Sequence, residues 1–299
     1  MQAATAPVPA PVTEVPPIVQ KAMSLVGDIA TLPEVTVKII NIVEDPRSTA
    51  RDLHEVIKTD PALSSRLLKV VNSAFYGFPG QVATVDRAIV LLGLSTVKNI
   101  AIAASISRLF TAERVSESYT ARDIWRHSVA VAVLARQIYR SGFSHQPDAD
   151  EVFLSGLIHD LGLLVERQAF PEKLAQAIDR CVKQHGNFCR IEQEVLGADH
   201  PTFGQHLAAK WKFPARLRAA IGYHHNVDNL NAQNRTVPTI IHVADIVAVQ
   251  EKMGFPLTAA QQELTPELME TVHLTTESLD EFRAALAENV AMAEATLAG

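Results

Sequence analysis

The chain has 299 residues, 47% of them apolar, with a formal net charge of -6, enough apolar material for one large domain or two modest ones, so wholesale disorder is excluded. No apolar run reaches the ~18 residues of a membrane span. The N-terminus lacks the basic and apolar regions of a secretory signal, and two cysteines, Cys181 and Cys189, cannot build a disulfide framework. The expectation is a soluble cytoplasmic protein with no membrane partner. The acidic excess lies in residues 257–299, where one arginine stands against eight acidic residues. That balance disfavours nucleic acid as a partner, since binding it needs basic surface to displace counterions.

Residues 1–17 are rich in proline and alanine and read as a disordered tail. From Ile18 onward the pattern is helical. Thr49 and Asp52 resemble a capping box. Asp60-Pro61 offers an N-cap followed by proline at the first helical position. Thr84 and Ser95 mark further starts, and Pro171, Pro201 and Pro214 could each open a helix. Leu63, Leu67, Val70 and Val71 share one helical face, as do Ile124, Val131, Leu134 and Ile138. In NSAFYGFPG, Asn72 and Ser73 can stop a helix and Gly77, Pro79 and Gly80 make a turn. Phe75, Tyr76 and Phe78 then either pack inward to fix the loop or stay exposed as a partner-binding spot. The polar stretch 111–120 is a plausible boundary. The organisation expected is a helical lobe over 18–115, a second over 116–256, and an acidic helical segment over 257–299.

Ten of the eleven histidines lie beyond that boundary. The segment LSGLIHDLGLLV carries His159-Asp160 inside an apolar helical run, where an unsatisfied charged pair is costly. Metal coordination would satisfy it. So would a hydrogen-bonded His–Asp pair between helices. Other members of the set point the same way. Asp123 and His127 share a helix face, and Asp245 follows His242 by three. His224-His225 closes a helix, and His200 stands before Pro201 at an N-cap. His54, His145, His185, His206 and His273 read as ordinary solvated residues. The two cysteines, eight apart, read as inert.

The pattern His127, His159-Asp160, Asp245 resembles the H…HD…D signature of the HD superfamily of metal-dependent phosphohydrolases. His200, His224 and His225 fall where two-metal members related to the HD-GYP phosphodiesterases add three histidines, and Asp123 matches an acidic residue one turn before the first. The resemblance implies a metal site of His127, His159, Asp160, His200, His224, His225 and Asp245, with Asp123 close by. One or two divalent transition-metal ions, Fe or Mn rather than Zn, would suit it. Two features depart from HD-GYP enzymes. Leu163 replaces a lysine three residues after the HD aspartate, and HHNVDNLNAQN lacks the Gly-Tyr-Pro motif.

Residues 32–106, notably DPALSSRLLKVVNSAFYG and VDRAIVLLGLSTVKNIAI, resemble the HDOD domain, an HD-related output domain of bacterial signalling proteins, and the likeness runs on to about His225. It implies an all-α, two-lobed helical bundle that regulates by binding signalling proteins, with a nucleotide as a second class of partner. The alternative is a metal-dependent phosphohydrolase acting on a nucleotide or cyclic dinucleotide, with Asp160 and His159 as catalytic candidates.

Overall fold

The computed structural model describes residues 15–27, 34–45, 47–73, 76–110, 114–143 and 149–297. Most of the expected N-terminal tail, Phe75 and His145 lie outside them. Helices account for almost all of the regular structure: α1 Pro17–Leu25, α2 Glu34–Glu44, α3 Ala50–Ile57, α4 Pro61–Val71, α5 Val85–Leu92, α6 Leu94–Ile106, α7 Ala121–Gly142, α8 Ala149–Ile158, α9 Leu161–Ala169, α10 Pro171–Gln184, α11 Phe188–Val195, α12 His200–Lys210, α13 Ala215–Tyr223, α14 Ala232–Gln250, α15 Pro266–Thr271 and α16 Thr276–Leu297. Among the described residues the pairing closest to a strand is one antiparallel bridge, Arg114 to Thr120. Among the described residues no helix is long and apolar enough to cross a membrane.

The helix starts follow local chemistry. Thr49 and Asp52 form a reciprocal capping box at α3, and the side chains of Asp60 and Thr84 accept the amides of Leu63 and Arg87 at α4 and α5. Pro214 opens α13 from its N-cap. Two expectations shift by a residue or two. Gly93, with φ 82°, rather than Ser95, leads into α6. Asp199, not His200, caps α12 and accepts the Thr202 amide at 3.1 Å. Aspartate is the stronger cap because its carboxylate meets the positive end of the helix.

Asn72 ends α4 and staples the following loop: its amide donates to Leu68 and Val82 carbonyls, and its oxygen accepts the Val82 amide at 2.7 Å. Tyr76, half-buried, donates to Asp150 on α8 at 3.3 Å, so this part of the aromatic loop packs inward. The core is one apolar cluster running from Val19 to Leu297. Helices α7 and α8 pack along each other at its centre, with α14 and α16 on α7 and α6 on α8.

Candidate metal centre

His159 and Asp160 do not continue a helix. Helix α8 ends at Ile158 and α9 begins at Leu161, so the pair forms the turn between them, with Asp160 at φ -95°, ψ 22°. The break turns both side chains to one point. Gly162 makes this possible: a Cβ there would run into the carbonyl of His200, so α9 reaches α12 backbone to backbone. His127 arrives from α7, His224 and His225 from the end of α13, and Asp245 from α14.

The seven side chains converge on Asp160. Its Oδ2 lies 3.2 Å from His159 Nε2 and 3.8 Å from His127 Nε2, and its Oδ1 lies 3.3 Å from His200 Nε2 and 3.5 Å from His224 Nε2. His127 Nε2 is also 3.1 Å from Asp245 Oδ1, and His225 Nε2 is 3.1 Å from His200 Nε2. The seven side chains are at most 3% exposed. The atoms fall into two groups, Asp160 with His200, His224 and His225, and His127 with His159 and Asp245. Asp160 faces both and can bridge them.

The donor set fits cations. Four of the five imidazoles have the far nitrogen beside a partner: His159 Nδ1 at 2.7 Å from the Gly156 carbonyl, His224 Nδ1 at 2.9 Å from that of Ile221, His200 Nδ1 at 2.8 Å from Glu192, and His225 Nδ1 at 2.9 Å from the Gln262 amide group. A ring that donates a proton through Nδ1 presents a bare lone pair at Nε2. Turning the Gln262 amide over gives its oxygen to His225 and completes the pattern. The lone pairs and carboxylates face one another in a buried volume, and His159 Nε2, His224 Nε2 and Asp160 Oδ1 and Oδ2 lack any well-aligned hydrogen bond. Donors at ~2.1 Å from one ion and at right angles stand about 3 Å apart, close to the spacings seen here.

The electrostatics divide the histidines. Against the cost of burial, Asp160 raises His159 and Glu192 raises His200, so an ion would displace a proton from each of these two rings. Burial works against the Asp160 carboxylate, yet the facing His159 and His200 hold it well below the usual carboxylate range. Asp245 is lowered likewise, chiefly by His127 against the cost of burial. Burial pushes His224 and His225 down, which keeps those imidazoles neutral and able to donate a lone pair.

Asp123 does not join the set. Its carboxylate closes the capping box of α7, accepting the Thr120 amide and hydroxyl at 2.7 Å each. A first-turn aspartate is used up by its own helix end. His242 also stays outside both groups. The histidines expected to be ordinary have local roles: His54 pairs with Asp86 at 2.7 Å, His206 Nδ1 lies 2.8 Å from the Thr202 carbonyl, His185 ends α10 at φ 49°, and His273 packs on Phe143. Cys181 and Cys189 are free. The Cys189 thiol lies within 4.8 Å of Glu192 and His200 atoms, closer to the centre than its sequence spacing suggests. Burial raises it well above the ordinary thiol range, so it stays protonated and is a poor ligand.

Glu192 hydrogen-bonds to the candidate ligand His200, Gln262 to His225, and Thr258 to both His127 and Asp245. Nothing in their local sequence distinguishes them from ordinary helix and loop residues.

The HDOD domain family model matches residues 29–227. Among solved structures, the chain resembles an HDOD domain protein of unknown function from Geobacter sulfurreducens (TM-score 0.76, 19% identity, 93% of this chain and 97% of that one). It also resembles a candidate phosphohydrolase from Shewanella amazonensis (TM-score 0.70, 22% identity, 94% and 97%). A third, a candidate signal transduction protein from Marinobacter aquaeolei, has TM-score 0.68 and 23% identity over 90% of this chain and 59% of that one. A curated relative from Treponema pallidum, itself uncharacterised, is 23% identical over 221 residues, 74% of this chain and 42% of the relative's length.

Proposed function

The chain belongs to the HDOD family, and from that premise we propose that it is a signal-transduction module built around a two-ion His/Asp centre, working by binding protein partners rather than by turnover. The observation that carries the metal is the ring of imidazole Nε2 atoms around Asp160, with the opposite ring nitrogen engaged in four of the five histidines. One ion would take His127, His159, Asp160 and Asp245, and the other Asp160, His200, His224 and His225. Bound ions would supply positive charge that offsets the two carboxylates and, in a hydrolytic centre, would polarise a phosphoryl oxygen. On this reading residues 18–115 form a lobe that presents the partner surface and residues 116–256 form the lobe that holds the ions. The regulatory reading is favoured by Leu163. It is fully buried and occupies the position from which HD-GYP enzymes extend a lysine, so no ammonium reaches a phosphate from there.

The second reading, a metal-dependent phosphohydrolase acting on a nucleotide, has one specific support: the bridging placement of Asp160 is what two-metal hydrolysis needs. One experiment addresses both. Protein purified without a histidine tag or chelator, from a metal-replete culture, should carry about one to two transition-metal ions per chain, and Asp160→Ala should lose most of them. The same protein given cyclic di-GMP with Mn or Fe should yield little linear product. Metal-free wild type would sink the centre. Robust turnover abolished by His159→Ala would favour the hydrolase.

A further inference from the structure

Residues 251–262 lie beyond the span that matches the family, and they cover one side of the centre. Gly254 makes the approach possible. Its φ is 77°, and a Cβ there would run into the Asp123 carbonyl and the His127 amide. The Phe255 amide donates to that same carbonyl at 3.1 Å, and its buried ring meets Tyr119 and Phe188 edge-on. The segment is thereby fixed to the first turns of α7, which brings the buried Thr258 to the ligands.

Thr258 Oγ1 lies 3.2 Å from Asp245 Oδ1 and 3.4 Å from His127 Nε2, and those two atoms are 3.1 Å apart. Three donor atoms mutually about 3 Å apart outline one triangular face of a coordination shell around a single ion. We propose that Thr258 supplies its hydroxyl oxygen as a further ligand to the ion held by His127, His159, Asp160 and Asp245. This rests on the two-ion reading above. The hydroxyl is a hard, neutral oxygen donor, as in phosphate-binding loops where a Ser or Thr hydroxyl meets magnesium, and it biases that position towards harder ions such as Mn over softer ones. It also fills a place that a hydrolytic centre keeps open for water. The chain would then offer five donors to the first ion, one short of the six an octahedral Mn takes, and four to the second.

The test is calorimetric titration of full-length, chelator-stripped protein with Mn. Wild type should bind at two positions. Thr258→Val replaces the hydroxyl with a methyl group of similar size and should weaken one of them by about 10- to 100-fold, the range in which single supporting groups tune metal sites, while the other stays as in wild type. Thr258→Ser should restore it. Gly254→Val, which pushes the segment off α7, should weaken the same position without touching a ligand. Retention of the second position in each variant shows that the fold is intact. Two undiminished positions in Thr258→Val would overturn the proposal while leaving the two-ion centre standing. A wild type that binds no Mn, and behaves like Asp160→Ala, would instead overturn the centre on which the proposal rests.

Discussion

At Asp160 the chain stops one helix, starts another and places a carboxylate between four imidazoles, and each task depends on the others. The residue types were legible from sequence because histidine and aspartate inside an apolar run need an explanation. What sequence hid is the layer behind them. Glu192 reaches His200 from eight residues away across a turn, and its helix reads as an ordinary amphipathic one. Behind it stands Glu166 on α9, fully buried. Burial first, and then the Glu192 carboxylate, hold its pKa well above the ordinary value of 4.5. A carboxyl with a raised folded-state pKa keeps its proton in the native state. Its contribution to stability is complete below the unfolded pKa and is lost as pH rises through the folded one. Glu166→Gln keeps the shape and removes that liability. The variant and wild type should melt alike near pH 5. Towards pH 9 the variant should be the more stable by about 1–3 kcal/mol, the cost of a poorly satisfied buried polar group, or several degrees in melting temperature. A melting difference that stays constant across that range would show that Glu166 is not the proton-holding group.

Among the helices, α16 turns composition into packing most directly. A segment with eight acids against one base could be a solvated tail. The interleaving of Leu279, Phe282, Leu286 and Val290 among those acids predicted a docked helix. In the structure Leu279, Leu286, Val290 and Leu297 are buried, Phe282 is half-buried, and the helix lies on α7 and α4. The Thr275 hydroxyl accepts the Ser278 amide at 3.1 Å and opens the helix, while Arg283 pairs with Glu251 at 3.1 Å beside α14. Each buried Leu or Val contributes about 1.5–3 kcal/mol. Deleting residues 275–299 should therefore expose an apolar strip on α7, lowering the melting temperature by many degrees and reducing solubility. A truncated chain as soluble and heat-stable as the full one would show the helix to be dispensable. The His-Asp segment is the opposite case. Its apolar periodicity suggests one continuous helix, and the chain instead turns at His159-Asp160, just before Gly162 comes against the His200 backbone. Backbone contacts between distant residues leave no periodic trace.

At the scale of the whole molecule, helix content and the apolar stripes were plain in the sequence because they repeat every three or four residues. The grouping of the seven candidate ligands was readable only through the resemblance to the HD superfamily, since side chains so far apart in sequence leave no periodic trace. Thr258 and Gln262 were not, since a threonine and a glutamine in a loop carry no pattern, and it took the packing of residues 251–262 on α7 to bring them in. The seven candidate ligands run from His127 to Asp245, on α7, the α8–α9 turn, α12, the end of α13, and α14. An ion shared among them would therefore act as a cross-link, closing several loops of tens of residues at a single point. Clips of this kind take their effect from the unfolded chain, whose freedom they remove. A ligand at about 100 times its dissociation constant adds ~2.7 kcal/mol to the folded state, worth several degrees for a chain of this size. Stripping the metal should lower the melting temperature by that much, and adding Mn should restore it. In Asp160→Ala, which unties both clips at once, chelator should make no difference. The protein's heat resistance would then report how much metal its surroundings offer.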